Sequence, residues 1–345
     1  MVITRTPFRI SFFGGGTDYP EWYNKEGGSV LSTTIDKYGY IFCRALPPFF
    51  GIKHRIVWRH VETVDSISAI LHPAIKAGLQ YLGFDDEIGL EIHYQGDLPA
   101  RSGLGTSSSF SVGFIKAMLA LRGQSIQKEE LARKAIELER DVLKEKVGSQ
   151  DQVAAAYGGF NHIQFQPDGP IIVNPVKVSK ERLAELESYM MLFYLGGNRT
   201  ASDLAKKVID NMDKRHDALK KMHAMVSDAI DLVGNPSSDL DDFGCMLNET
   251  WQLKRSLSAG VSTDYVDRVY STAQKNGALG GKLLGAGGTG FMLLFAPIEK
   301  HPAISMALEH CVKVDFKFEF DGCTIIHYDN SDDEKFGKTK QKNHI

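Results

Sequence analysis

Three glycine-rich segments of this chain, GGGTDY at 14–19, GLGTSSS at 103–109 and GAGGTG at 285–290, set pliant backbone beside groups that can do chemistry. In the second, Gly103, Leu104, Gly105, Thr106, Ser107 and Ser108 stand ahead of the helically spaced FSVGFIKAMLALRG. Free amides and hydroxyls therefore gather at a helix N-terminus, where the dipole favours phosphate. The segment is a candidate triphosphate cradle, and the same residues would also serve as plain caps and turns. It is not a Walker loop, because no Lys follows a glycine ahead of Ser or Thr at the required spacing. In the first segment, Asp18 follows Gly15, Gly16 and Thr17, a loop that lets a ligand approach the backbone closely, and Arg9 lies on the strand before it. A carboxylate there could grip sugar hydroxyls or cap a turn. The third segment holds Gly287 and runs into FMLLF; it could line a ligand or form a hairpin with crowded backbone packing.

The elements that must position these loops can be read from periodicity. TRTPFRISFF alternates polarity with β-branched and aromatic residues and predicts a strand ending in the first glycine cluster. Further strands are expected at 28–34, 38–46, 52–59 and 87–95, with a helix near 66–82. One helix follows the second glycine loop and stops at Gly123; another is expected from about Lys128 to Lys146. GSQDQVAAAYGG then breaks the helical pattern ahead of the strand-like FNHIQF. From about 175 the pattern is a short helix, the strand YMMLFYLG, and a long charged helical stretch over 200–277 interrupted at GNPSS. The third glycine loop, a helix near 300–311 and the strands VDFKFEF and CTIIHY close a sheet covered by helices. The expected organisation is an α+β chain with domains at 1–175 and 176–328 and a frayed tail at 329–345.

Composition narrows the partners. Of 345 residues, 43% are hydrophobic and 24% charged, enough to bury a full core. A formal net charge of -3 supplies no general basic surface for nucleic acid, and no apolar run approaches the roughly 20 residues of a membrane helix. Residues 1–10 lack an apolar leader core and a small-residue cleavage site, so a cytoplasmic protein is expected. Cys43, Cys245, Cys311 and Cys323 form no CxxC pair and read as reduced, mostly core thiols. The expected partners are small molecules, with homodimerisation left open.

The order and surroundings of the three loops resemble the three motifs of the GHMP kinases, and the resemblance spans nearly the whole chain. TPFRISFFGGGTDYP is similar to the galactokinase-type motif, PARSGLGTSSS to the nucleotide loop and KLLGAGGTGF to the late glycine loop. The resemblance implies a two-domain fold, an N-terminal mixed α/β domain and a C-terminal ferredoxin-like domain with extra helices, with ATP and Mg2+ in the cleft between them. It further implies that Asp151 in GSQDQ is the catalytic aspartate and that Arg9 is the arginine near the transferred phosphoryl. Ser107 and Glu139 would be the magnesium ligands, with Glu137 and Asp141 as neighbouring alternatives. A base that accepts the hydroxyl proton and cations that offset phosphoryl charge are what such a transfer needs.

One departure bears on the substrate. Galactokinases carry Glu and His ahead of the Thr and Asp of the first motif, where this chain has Gly15 and Gly16. GGGTDYP instead resembles the subgroup that phosphorylates D-glycero-D-manno-heptose 7-phosphate at its anomeric hydroxyl, on the way to nucleotide-activated heptose. It also resembles the kinase portion of fucose-salvage enzymes, and a silent sugar-binding regulator on the same scaffold is a remote alternative. Asp18, Gly15, Gly16, Thr17 and Gly287 are expected on the substrate. A distal phosphate calls for a cation, for which Arg199, Lys37, Arg101 and Lys282 are the candidates.

Overall fold

The computed structural model describes residues 1–197 and 201–329. Its first layer is a nine-stranded sheet built around two long strands, β1 (Val2–Phe13) and β2 (Gly28–Ala45), which run antiparallel across the helix α1 (Pro20–Glu26). The two strands expected at 28–34 and 38–46 are one strand of 18 residues, bent rather than broken where the register shifts between Pro7 and Phe8 of its partner. The path β13-β1-β2-β5-β3-β4 is completed by β3 (His54–Val57), β4 (Val61–Val64) and β5 (Leu90–Gly96). β6 (Phe160–Phe165) pairs with the start of β2 and carries β7 (Ile171–Pro175). One face is covered by α2 (Pro73–Tyr81), α3 (Thr106–Leu121), α4 (Lys128–Ile136) and α5 (Gln150–Tyr157). The helix expected over 128–146 ends early, because α4 passes into a π-helical turn at Glu137–Val142.

After α6 (Lys180–Ser188), the second layer interleaves β8 (Met190–Tyr194), a four-helix excursion, β9 (Gly280–Leu283), β10 (Phe291–Phe295), α11 (His301–Ala307) and β11 (Val312–Val314). The excursion comprises α7 (Ala201–Asp210), α8 (His216–Gly234), α9 (Leu240–Leu257) and α10 (Asp264–Lys275), with GNPSS separating α8 from α9 as expected. The sheet order β11-β8-β10-β9, all antiparallel, is that of a ferredoxin-like βαββαβ unit with extra helices in its first crossover.

The last two strands correct the expected organisation. β12 (Phe318–Glu319) pairs with β2, and β13 (Thr324–Tyr328) pairs with β1, so the chain returns to the first layer after Val314. Without β13 the outer edge of β1 would present unpaired backbone groups. The expected 176–328 domain therefore loses its last strands to the first sheet. Of the expected tail at 329–345, residues 330–345 lie outside the described residues.

The layers share a core. β1 is buried on both faces from Pro7 onward, as its run of apolar residues requires. Phe8, Ile10, Phe12 and Phe13 pack against Met225 and Val226 of α8, Phe243 and Leu247 of α9, and the inner face of β10. Phe243 meets Phe12 and Phe13 edge-on at centroid separations of 5.7 and 5.1 Å. Truncating so buried a ring costs about 3 to 5 kcal/mol. Among the described residues no helix is long and apolar enough to cross a membrane; Cys43, Cys311 and Cys323 are buried and Cys245 is exposed.

Candidate active site

All three glycine loops line one cavity of about 290 Å³ between the layers. Their backbones touch there. A Cβ on Gly103, at φ +92°, would lie 2.4 Å from the Leu284 carbonyl oxygen, and one on Gly290 would lie 2.2 Å from that of Ser102. Only glycine permits this approach, which lets the Phe291 amide donate to the Ser102 carbonyl (3.1 Å) and seals the phosphate-loop candidate against the late loop. Gly105 is left-handed and caps α3, leaving the first-turn amides of Thr106, Ser107 and Ser108 without side-chain caps; all four residues line the cavity. Leu104 is fully buried and accepts the Arg9 amide on its carbonyl (3.0 Å), so it anchors the loop rather than facing the cavity.

Asp151 lies in the first turn of α5 and is gripped by Arg9. The guanidinium donates from Nε to Oδ1 (2.7 Å) and from Nη2 to Oδ2 (2.8 Å), and from Nη1 to the Gly103 carbonyl (2.7 Å). This two-pronged grip fixes the plane of the carboxylate and supplies its counter-charge. The same arginine ties the aspartate to the phosphate loop.

Asp18 is buried beside them. Its Oδ1 accepts the Gly16 amide (2.9 Å), and its carbonyl accepts the Ser149 amide (2.9 Å). A Cβ at Gly148 would fall 1.9 Å from Asp18 Oδ2. Burial, then repulsion from Asp151, push the Asp18 carboxyl above the usual carboxylate range, against the pull of the Gly16 amide and the Gln150 side chain. Gly15 and Gly16 line the cavity next to it. Thr17 does not: it is wholly buried, and its hydroxyl donates to the Gly14 and Ser29 carbonyls, so it holds the turn instead of facing a ligand. Gly287 lines the cavity at φ +108°, where a Cβ would strike the Val261 carbonyl.

Glu139 stands in the π-helical turn, fully buried behind the phosphate loop and outside the cavity lining. Its Oε2 accepts Ser108 Oγ (2.9 Å) and Gln152 Nε2 (2.6 Å), while Oε1 has no hydrogen-bond partner. Burial pushes its pKa up from 4.5 to about 7. The structure thus joins Glu139 to Ser108, whereas Ser107 is exposed at the cavity. The alternatives are engaged elsewhere: Glu137 pairs with Arg133 and accepts from Tyr81, and Asp141 pairs with Arg140. A carboxylate oxygen without a hydrogen-bond partner, next to the Ser108 hydroxyl, suits a hard cation. Among the described residues no three His, Cys, Asp or Glu converge as a metal site, so such a cation would need phosphate or water oxygens as well.

The cation candidates separate clearly. Lys37 pairs with Asp36 and does not line the cavity. Arg101 lines the mouth. Lys282 is buried in the wall, donates to the Phe12 carbonyl (2.7 Å), and is held far below its ordinary pKa by burial. Arg199 lies outside the described residues. Sequence reasoning missed Gln150 and Lys254, which also line the cavity. Gln150 was legible as the neighbour of Asp151; Lys254 sits in the charged stretch LKRS, which carries no signal beyond a solvated helix face.

A helix N-terminus built for phosphate, facing an arginine-held carboxylate across a cleft, has the parts of a small-molecule phosphotransferase. Residues 69–159 match the GHMP kinases N terminal domain and residues 229–303 the GHMP kinases C terminal domain. Over 92% of this chain and 97% of the relative's, the sequence is 31% identical to a D-glycero-alpha-D-manno-heptose 7-phosphate kinase of Campylobacter jejuni. It is 26% identical to a bifunctional fucokinase/GDP-fucose pyrophosphorylase of Arabidopsis thaliana, over 90% of this chain and 31% of that one. Among solved structures, a D-glycero-D-manno-heptose 1-phosphate kinase from Bacteroides thetaiotaomicron superposes with a TM-score of 0.70 at 26% identity, covering 95% of this chain and all of that one. The chain belongs to the GHMP kinases.

Proposed function

We propose that this kinase transfers the γ-phosphoryl group of ATP to the anomeric hydroxyl of a phosphorylated heptose, taking D-glycero-D-manno-heptose 7-phosphate to the 1,7-bisphosphate in the cytoplasm. The observation that carries the reading is the Arg9 fork, which links Asp151 to Gly103 and so puts a base and a phosphate cradle in one rigid unit. The similarity to a heptose 7-phosphate kinase over nearly its whole length supports the acceptor.

In this reading the amides of Gly105 to Ser108 hold the triphosphate at the start of α3. Asp18 and the open backbone of Gly15 and Gly16 hold the sugar. Asp151 accepts the proton of the anomeric hydroxyl as its oxygen bonds to the γ-phosphorus and ADP leaves, and Arg9 keeps that carboxylate oriented and charge-balanced. Ser107, Ser108 and Glu139 would hold Mg2+ together with phosphate oxygens, and charge offset on those oxygens is what the ion supplies when bound.

A panel of sugars and sugar phosphates with labelled ATP tests the acceptor, and phosphorus NMR of the product identifies the hydroxyl modified. The expected outcome is a preference of about 10- to 150-fold for the heptose 7-phosphate over the bare heptose, the contribution of one buried charged hydrogen-bonded pair. Preference for an unphosphorylated sugar such as fucose would overturn it.

A further inference from the structure

Lys254, near the end of α9, reaches the active-site cavity from the second layer. Its Nζ donates to the carbonyls of Leu283 (2.8 Å) and Gly285 (2.5 Å). An ammonium has three N–H donors, so one is left with no protein acceptor among the described residues. Of the other cations of the inner cavity, Arg9 is committed to Asp151 and Gly103, while Lys282, which donates to the Phe12 carbonyl, is held far below its ordinary pKa by burial. The carbonyls that hold Lys254 flank Leu284, the residue whose backbone meets Gly103. The free donor thus lies beside the seam where the phosphate loop and the late loop touch.

We propose that Lys254 is a catalytic residue whose third N–H meets the oxygens of the phosphoryl group in transfer, supplying from the second layer the positive charge that Arg9 spends on Asp151. The inference rests on the phosphotransfer reading above. The electrostatics agree with it. Burial, then the charge of Arg9, pull the Lys254 ammonium down to about pKa 7, while Asp18 and Asp151 oppose the fall. A phosphoryl dianion arriving beside it favours the protonated form, so substrate binding takes up a proton above neutral pH. The groups facing it are Arg9 from β1, Asp18 from the first loop, Asp151 from α5 and Lys282 from β9. Glu139 titrates in the same range but sits behind Ser108, outside the cavity.

The test compares the full chain with Lys254→Met and Lys254→Arg in initial-rate kinetics across pH, using a phosphorylated and an unphosphorylated acceptor. Lys254→Met is expected to lower kcat by about 100-fold for either acceptor, the range for losing one donor to transition-state charge. Its melting temperature should drop, because the Leu283 and Gly285 carbonyls lose their donor, but its KM for ATP should stay near wild type, which a role confined to clamping the late loop would not allow. In the wild type, kcat/KM should fall as pH rises through about 7. Lys254→Arg should abolish that fall, because a guanidinium stays charged. Unchanged kcat in Lys254→Met overturns the proposal, as does a loss confined to the phosphorylated acceptor, which would place Lys254 on the sugar's own phosphate. An alkaline limb that persists in Lys254→Arg also overturns it, and this arm stands even if the Met variant fails to fold. Failure of the phosphotransfer reading itself is visible separately, as no transfer of label from ATP to any acceptor by the wild type.

Discussion

Asp151 and Glu139 both lie against the first turn of α3, and their surroundings differ in one respect. Asp151 carries its cation with it, in the two-pronged grip of Arg9. Glu139 has only the neutral side chains of Ser111, Ser108 and Gln152 to offset its charge, and burial raises its pKa to about 7. Asp151 therefore has its counter-charge in place before any ligand arrives. Glu139 becomes a comfortable anion only when positive charge comes to it, which couples it to whatever cation accompanies the nucleotide. A shift from 4.5 to about 7 corresponds to on the order of 3 kcal/mol held in that side chain.

The most direct way to break the comparison is Asp151→Asn. Turnover should fall by about 100-fold or more, with nucleotide affinity by calorimetry largely kept, because the amide cannot accept the proton. Near wild-type turnover would remove Asp151 from the chemistry. Next comes Gly103→Ala. At φ +92° with a Cβ 2.4 Å from a carbonyl oxygen, it should displace the loop carbonyl that accepts from Arg9. We expect a loss of roughly 1 to 3 kcal/mol in chemical denaturation and a raised KM for ATP. An unaffected loop variant would mean that the Arg9 fork does not depend on the seam.

Glu139→Gln sharpens the other side. It should raise the magnesium concentration needed for half-maximal rate, and it should change stability with a definite sign. A carboxyl whose folded pKa lies above its unfolded value makes stability fall with rising pH, here between about 4.5 and about 7. The variant should thus melt higher than wild type at pH values above 7 and close to it below 4.5, in thermal unfolding without nucleotide. A melting temperature unchanged at high pH would show that the carboxylate is not under strain. The smallest effect is expected of Lys37→Ala, whose ammonium is occupied by Asp36 away from the cavity: specificity constants for phosphorylated and bare sugars should move by less than about twofold.

Much of the site was legible because glycine loops and helix starts are local signals. The three loops and the interruption at GNPSS fall where composition and period place them, whereas QDQVAAAY, expected to break the helical pattern, forms the helix α5 and the break lies before it, at 144–148. What stayed hidden depends on contacts between distant segments. Glu139, which meets Ser108 rather than Ser107, stands where α4 unwinds into a wider π turn, a departure that 3.6 spacing does not anticipate. Thr17 looked exposed in a polar loop, yet Ser29 on the next strand encloses it. Lys254 looked like one more charge on a solvated helix until the late loop closed over it. β12 and β13 read as neighbours of β11 because they follow it, whereas the open edge of β1 claims the last strand.

That return of the chain has a consequence for how the enzyme is made. Met1 and Asp329 are joined through backbone groups at 2.8 Å, and β1, the strand that bears Arg9, acquires its outer neighbour only from residues 324–328. During synthesis the first layer must therefore wait, with one edge unpaired, until more than 300 further residues have left the ribosome. Closures of such long sequence separation are slow, and an unpaired edge is open to wrong partners meanwhile. A nascent chain arrested before β12 should be markedly more prone to proteolysis and aggregation than one released after β13, and the active site should be the last part of the molecule to set.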